Sequence, residues 1–158
     1  MRATDRRLEA FAVAAIVAAD RLTKVWAQVW LEPRGSVPVT PFFHLSYVEN
    51  SGAAWGMLAG SNGLLAVLSL VLLGGLMWAR RSWDPDNRWA HRGAVLVVGG
   101  ALGNLYDRLA YGAVVDFLDF RVWPVFNVAD SCITVGACAL AWGLHLEDKR
   151  QATRSGCC

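Results

Sequence analysis

The sequence predicts an all-α integral membrane protein with four transmembrane helices and a small extracytoplasmic β-sheet. Of its 158 residues, 55% are hydrophobic and 18% are charged, so the chain is richer in apolar residues than an ordinary soluble domain. Four apolar runs approach the roughly 20 residues that a helix needs to cross a bilayer. The length fits one integral membrane domain, residues 1–158. The arginines flank the apolar runs and form no basic face, which argues against nucleic acid as a partner.

The four spans are predicted at about residues 8–28, 62–79, 91–110 and 126–146, followed by a flexible C-terminal tail at about 147–158. The first run resembles a secretory signal, but it continues through Asp20, Arg21 and Lys24 and is too long and too polar for a cleaved segment. The third span ends in "GNLYDR" and the fourth opens with "FNVADS", and these polar ends shorten both spans in a hydropathy profile.

The distribution of basic residues predicts the orientation of the spans. Ten Lys or Arg residues lie before the first span, between the second and third spans, and after the fourth, whereas three lie in or beside the other two loops. Because cytoplasmic loops carry the excess of Lys and Arg, both termini and the middle loop are predicted to be cytoplasmic. Tryptophans near both ends of the spans are typical of the two membrane interfaces.

The two outer loops are predicted to form the small β-sheet. Residues 33–56 contain "FFHLSYV", an aromatic and β-branched run that is typical of a strand. Residues 111–125 contain "AVVDFLDFRVW", which has a similar alternation. Within the third span, Gly99 and Gly103 are four residues apart, which favours close packing against another helix.

The polar side chains of the spans are predicted to share one depth, near the outer face. They are Asp20, Lys24, Asn104, Asp107, Arg108, Asn127 and Asp130. An ionisable group within a bilayer costs free energy unless it is paired or solvated, so such residues indicate a functional site. The shared depth predicts a site that faces the exterior.

Asp116 and Asp130 are the candidate catalytic pair. Residue 116 lies in the second outer loop and residue 130 in the first turn of the fourth span, so that the return through Pro124 can bring them face to face. Two carboxylates in a pocket of low dielectric constant do not both ionise easily, so one keeps a proton. One can then activate water as a general base while the other protonates the leaving group, with no metal or cofactor.

Structural interpretations remain open for several of these residues. Asp20 and Lys24 lie four residues apart on one helical face and form either an ion pair or a substrate-positioning pair. Asp107 and Arg108 form either an interfacial charge pair or part of the site. Asp119 is predicted to be solvated near the water surface.

Asn127 and Asp130 also have an ordinary interpretation at the start of the fourth span. Asparagine is a preferred N-cap residue, and a carboxylate in the first turn of a helix is favoured by the helix dipole.

Other hydrolytic chemistries have weaker support. The three histidines are scattered and no H-E-x-x-H occurs, which disfavours a zinc peptidase. A Ser/Lys hydrolase that uses Lys24 with Ser51 or Ser131 remains open, although it leaves Asp116 and Asp130 without a role. The terminal Cys157 and Cys158 are interpreted as part of the tail.

Five motifs, taken in order, resemble the bacterial lipoprotein signal peptidase (signal peptidase II) family over residues 8–146. They are "AADRLTK" at 18–24, "ENSGAAWG" at 49–56, "GGALGNLYDRL" at 99–109, "VVDF" at 114–117 and "FNVADS" at 126–131. Each motif alone is weakly specific, and their succession carries the resemblance.

The resemblance implies a multi-pass aspartic endopeptidase of the bacterial inner membrane, with its site near the extracytoplasmic face. Such an enzyme removes signal peptides from prolipoproteins that carry a diacylglyceryl-cysteine and cuts on the N-terminal side of that cysteine. Membrane lipids surround the enzyme. The antibiotic globomycin is expected to inhibit it. By motif, Asp116 and Asp130 are expected to be catalytic. Six residues are expected to line the substrate site: Asn50, Asn104, Arg108, Asn127, Asp20 and Lys24.

Two other classes of membrane protein compete with the peptidase. A small proton-coupled transporter would also use buried carboxylates, but a relay needs ionisable groups through the whole membrane, and the inner halves of the predicted spans are apolar. A structural membrane subunit would not require carboxylates in two outer loops.

Overall fold

The computed structural model describes residues 3–52 and 60–155 of the chain. Its elements are α1 (Ala3–Trp30), β1 (Ser36–Thr40), β2 (Phe43–Asn50), α2 (Asn62–Ala79), α3 (Arg88–Ala110), β3 (Val114–Asp119) and α4 (Val128–Ser155). Single 3-10 turns follow α1 at Glu32–Arg34 and α2 at Arg80–Ser82. The second half of the motif "ENSGAAWG" and the two terminal cysteines lie outside the described residues. The described chain is mostly helical with one small sheet, as the sequence predicts.

The helices differ from the predicted spans mainly at the C-terminus. α2 coincides with the predicted second span, whereas α4 continues to Ser155, well past residue 146. Residues 147–155 are therefore helical, where we predicted a flexible tail. Their composition explains the difference, because Glu, Lys, Arg, Gln and Ala all have high helix propensity and continue a helix that is already nucleated.

The three strands form an antiparallel sheet in the order β1-β2-β3. β2 comes from the first outer loop and β3 from the second, which confirms the two predicted strand regions. In the β2–β3 ladder Val48 pairs with Asp116, and an isolated bridge joins Leu118 to Phe126 on the far side of β3. Because β3 has neighbours on both sides, almost all of its residues are buried.

A small apolar core attaches the sheet to the helices. Ala27 near the end of α1 and Leu31 just after it pack against Val115 and Phe117 of β3. This contact fixes the height of β3 relative to α1, and therefore the position of Asp116.

Glycines allow the helices to approach each other closely. A methyl group at Gly99 would contact the side chain of Ile16 on α1, and one at Gly103 would lie 2.6 Å from the Asp20 carboxylate. The predicted close contact at this glycine pair is confirmed. On the opposite face of α3, Gly93 lies against the backbone of α4 at Leu140.

The helices carry apolar groups outside and charged groups inside, the reverse of a soluble protein. Phe11 on α1 is 74% exposed and Leu72 on α2 is 72% exposed, whereas Asp20, Lys24 and Asp107 have no exposed surface. This distribution suits a bilayer, in which charged groups must find partners within the protein.

Two helical segments among the described residues, Asn62–Ser82 and Val128–Thr153, are long and apolar enough to cross a membrane. α1 and α3 carry charged side chains near their C-terminal ends, which lowers their hydropathy. The four-span architecture is thus supported for α2 and α4 and stays a prediction for α1 and α3.

We expect Gly136→Ala to destabilise the protein, because the added methyl group would lie 2.7 Å from the Gly93 carbonyl oxygen and 2.9 Å from the Val97 nitrogen. These backbone atoms cannot move without separating α3 from α4, at a cost of about 1–3 kcal/mol. Thermal unfolding of the detergent-solubilised protein measures the effect. Gly74→Ala on α2 is the control, since nothing lies within 4 Å of its added methyl group. Equal midpoints for the two variants would contradict the close α3–α4 packing.

Candidate active site

The structure brings Asp116 and Asp130 to one place, as predicted. Asp116 lies in the middle of β3 and is 2% exposed, and Asp130 is half-buried in the first turn of α4. The segment between them turns back along β3, where the Leu118–Phe126 bridge returns the chain to the start of α4. The sheet therefore supplies one carboxylate and the helix supplies the other.

Asn127 contacts both carboxylates. Its Nδ2 donates to Asp116 Oδ1 over 2.7 Å, and its backbone N–H donates to Asp130 Oδ2 over 3.3 Å. Its Oδ1 accepts from the backbone N–H of Asp130 over 2.9 Å, so Asn127 is the N-cap of α4. The predicted capping role is confirmed, and the same side chain also fixes the carboxylates relative to each other.

Two further asparagines hold the remaining carboxylate oxygens. Asn50 at the end of β2 donates from Nδ2 to Asp116 Oδ2 over 2.9 Å. Asn104 on α3 donates from Nδ2 to Asp130 Oδ1 over 2.7 Å. Each of the four carboxylate oxygens thus has one N–H donor, and every donor belongs to a neutral amide.

The environment of Asp116 keeps it protonated to a higher pH than an ordinary aspartate. Burial, and after it the nearby charge of Asp130, raise its pKa to about 7 against the opposing effect of its two asparagine donors. In the described part of the chain, no basic side chain lies within salt-bridge distance of either carboxylate. The shared-proton pair therefore remains available at neutral pH.

The raised pKa of Asp116 also links folding to pH. Between the value of an exposed aspartate and about 7, the native state holds a proton that the unfolded chain has lost. The contribution of Asp116 to the free energy of unfolding therefore falls as the pH rises through this window.

Lys24 lies beneath this pair and is fully buried. Its Nζ contacts Asp20 Oδ2 at 2.7 Å and Asp107 Oδ2 at 2.8 Å, and it donates to Asn104 Oδ1 over 2.8 Å. The ammonium group only donates, so it fixes the orientation of the Asn104 amide and directs the Nδ2 toward Asp130. Lys24 therefore acts on the candidate pair through Asn104.

Asp20 has a second contact that joins α1 to α4. Its Oδ1 accepts from the backbone N–H of Ala129 over 2.9 Å, in the first turn of α4. This bond satisfies an N–H that has no partner within the helix. Asp20 and Lys24 have no exposed surface, and their mutual contact agrees with the ion-pair interpretation.

Asp107 pairs across helices and not with its neighbour Arg108. It contacts Lys24 and also forms a close salt bridge with Arg21 of α1. Of the two interpretations left open, the Asp107–Arg108 charge pair is not supported by these contacts, because consecutive residues of a helix point in different directions. These contacts form one group with two positive charges, on Lys24 and Arg21, and two negative charges, on Asp20 and Asp107.

Arg108 lies at the edge of the candidate pair. Its Nη2 donates to the Gly52 carbonyl oxygen over 3.3 Å, and its charge interacts with both Asp116 and Asp130. Its Nε is buried and has no hydrogen-bond partner in the described part of the chain. The Arg108 side chain as a whole is half-buried beside the pair.

Two residues of this region were not among the predicted site residues. Arg21 could have been found, because it is a third charged residue in an apolar run. Asn62, whose Nδ2 donates to the Arg108 carbonyl oxygen over 2.8 Å, has no comparable signal because it begins a helix like many polar residues.

Two other expectations change. Asp119 is buried and accepts from Ser46 over 2.8 Å and from Arg121, so the prediction that it is solvated is wrong. Asp119 is buried because it still belongs to β3, where it pairs with His44 of β2. The Ser/Lys hydrolase loses its support, because Lys24 is fully engaged with three other side chains and the Ser131 hydroxyl donates to the Asn127 carbonyl oxygen.

The fold and the paired carboxylates define a class, a helical membrane enzyme with an aspartic-peptidase type of site. The sequence profile of the family described as signal peptidase (SPase) II matches residues 12–146. The lipoprotein signal peptidase of Pelotomaculum thermopropionicum is 42% identical over 143 residues, covering 90% of this chain and 93% of that protein. The Desulfitobacterium hafniense protein of the same name is 46% identical over 137 residues, covering 85% and 90%.

A solved structure described as a bacterial membrane enzyme has a TM-score of 0.79 and 30% sequence identity, covering 90% of this chain and 89% of its own. The chain therefore belongs to the signal peptidase II family. All five motifs that carry the resemblance lie within the matched residues.

We expect Lys24→Met to lower the stability of the protein strongly, because it leaves two buried carboxylates with one cation. Removing one partner of a buried ion pair costs about 3–5 kcal/mol. In Lys24→Met/Asp20→Asn the charges balance again, and the asparagine oxygen can still accept from Ala129. Thermal unfolding should therefore show a large loss for the single variant and a partial recovery for the double variant. A single variant as stable as the parent would exclude Lys24 as the centre of this network.

Proposed function

We propose that Asp116 and Asp130 are the catalytic pair with which this signal peptidase removes signal peptides from prolipoproteins. The observation that carries the proposal is the pair of carboxylates, one buried and one half-buried, held by four neutral N–H donors and free of any salt bridge in the described residues. A cation bonded directly to either carboxylate would favour loss of both protons, whereas neutral donors leave the pair able to share a single proton.

The shared proton allows hydrolysis without a metal or a covalent intermediate. The charged carboxylate takes a proton from water as the water oxygen attacks the scissile carbonyl carbon. The protonated carboxylate gives its proton to the carbonyl oxygen, which forms a tetrahedral diol. In the second step a diol proton returns to that carboxylate, the other protonates the amide nitrogen, and the C–N bond breaks. The pair ends with the charge and the proton with which it began.

The remaining site residues have distinct roles in this proposal. Asn50, Asn104 and Asn127 orient the carboxylates, since their amide donors already contact them. Arg108 contacts the substrate, because its half-buried side chain borders the pair and its guanidinium group can donate to a peptide carbonyl that has lost water on entering the membrane. Asp20 and Lys24 support the pair from below without touching the substrate.

We further propose that all four long helices of the single domain cross the bacterial inner membrane, with both termini in the cytoplasm. The ten-to-three bias of basic residues supports this orientation. α1 and α3 pair the charges near their C-terminal ends with one another, so these parts of the helices offer lipid a mainly apolar surface. The catalytic pair then lies near the extracytoplasmic face, and cleavage occurs N-terminal to the diacylglyceryl-cysteine. Globomycin is expected to inhibit by occupying this site.

We expect Asp116→Asn and Asp130→Asn each to lower the rate of prolipoprotein cleavage by a factor of at least ~10²–10⁴. An amide can neither accept nor supply the required proton. The measurement is turnover of a purified diacylglyceryl precursor, in the presence of a chelator. Asp119→Asn is the control on the same strand, because Asp119 contacts Ser46 and Arg121. A correctly folded Asp116→Asn or Asp130→Asn protein with normal turnover would remove that residue from the pair.

We expect Asn50→Ala to move the alkaline limb of the kcat/KM profile upward by about one pH unit. In the parent this limb is expected near pH 7, where Asp116 loses its proton. The Asn50 amide stabilises the charged carboxylate, so its removal raises the pKa of Asp116 further. Ser46→Ala, on the same strand but bonded to Asp119, should leave the limb in place. A downward shift for Asn50→Ala would contradict the assignment of this limb to Asp116.

A further inference from the structure

A groove of about 940 Å³ opens between α1 and α3 at the end of the helices opposite the catalytic pair. Its floor is apolar and is formed by Ala12, Ala15 and Ile16 of α1 with Val95 and Leu96 of α3. It begins at Leu8, which precedes Lys24 by roughly 24 Å along the axis of α1. The groove is therefore separate from the catalytic site.

The packing of the helices explains why the groove is open. Near Gly99 and Gly103 α3 touches α1 directly. Toward its N-terminus α3 packs on α4 instead, where Gly93 meets Leu140 and Gly143 meets Ala90. The small Ala12 and Ala15 side chains of α1 do not fill the space that remains between α1 and α3.

Two arginines line the polar end of the groove. Arg88 and Arg92 are four residues apart and therefore lie on one face of α3. In the described part of the chain, neither has a carboxylate within salt-bridge distance. Glu9, also on the groove, is held at 2.6 Å by Arg80 through both of its oxygens. Asp86 is the one further carboxylate in the lining, so the two arginines leave an excess of positive charge.

We infer that this groove binds an anionic glycerophospholipid, with its phosphodiester held by Arg88 and Arg92 and one acyl chain lying on the apolar floor. The cleft matches both parts of a lipid. Arginine binds phosphate well, and Arg88 and Arg92 have no carboxylate partner among the described residues, while the floor is apolar. Free phosphate would leave the floor empty. Under the proposed topology the lipid belongs to the cytoplasmic leaflet, opposite to the catalytic pair.

A lipid bound here bridges the two helices that hold the Lys24 network. α1 supplies Asp20 and Lys24, and α3 supplies Asn104 and Asp107. A ligand that binds only when α1 and α3 are packed together stabilises the folded state by mass action. Anionic lipid should therefore raise the thermal midpoint of the protein.

The test uses the Asp116→Asn protein, so that its outcome does not depend on catalysis. The protein is exchanged into bilayer discs that contain equal parts of phosphatidylglycerol and phosphatidylcholine, then extracted into neutral detergent, and the retained lipids are quantified by mass spectrometry. We expect retained phosphatidylglycerol to exceed phosphatidylcholine roughly tenfold, and phosphatidylglycerol to raise the unfolding midpoint. Addition of inorganic phosphate should not displace it.

Two variants of the groove and one control variant decide whether the groove is responsible. Arg88→Gln/Arg92→Gln should lose the preference, whereas Arg6→Gln/Arg81→Gln, with the same change of net charge, should keep it. Ala12→Leu should lower retention with every arginine in place, by filling the floor. Equal retention of both lipids by the parent, or equal loss in both arginine pairs, would overturn the inference.

The topology is tested separately by single cysteines at Ser36 and Lys149 in a protein without its native cysteines. Under the proposed orientation an impermeant thiol reagent applied to intact cells labels position 36 and not 149. Reversed labelling would refute the proposed topology and place the lipid in the other leaflet, while the lipid preference of the groove would still stand.

Discussion

The buried ammonium group of Lys24 is the interaction on which the rest of the structure depends. It contacts both Asp20 and Asp107 and so attaches α1 to α3, while Arg21 supplies the second positive charge. It also orients the Asn104 amide that reaches Asp130. Because Asp20 in turn accepts from the first turn of α4, one cation determines how three helices meet. A neutral side chain in its place would leave charged groups in a region where water cannot reach them.

The site separates charge that stabilises the fold from charge that takes part in the chemistry. Lysine and arginine pair with Asp20 and Asp107, whereas Asp116 and Asp130 receive hydrogen bonds only from neutral amides within the described residues. This separation has a physical reason. A directly bonded cation would lower the pKa of a catalytic carboxylate, and the pair would lose its shared proton. Neutral amides fix the position of the carboxylates and change their pKa less.

The burial of charged side chains also determines the outer surface of the protein. Helices that bury their charges present apolar residues to the surrounding lipid, and van der Waals contact at glycines supplies much of the packing between them. Where small residues do not bring two helices together, lipid has to fill the space. The groove beside Arg88 and Arg92 is such a place, and its charge gives it a preference among lipids.

The sequence by itself determined the helical class, the strand regions, the glycine contact at Gly99 and Gly103, and the meeting of Asp116 with Asp130. These features follow from apolar run length, local periodicity and the cost of lone charges in an apolar segment, all of which are properties of short stretches of chain. Only the tertiary structure decided the partners. It paired Asp107 with Lys24 and Arg21, enclosed Asp119, and gave Asn127 a contact to each carboxylate. Such choices depend on which faces of distant helices and strands meet, and the spacing of residues along one chain does not contain that information.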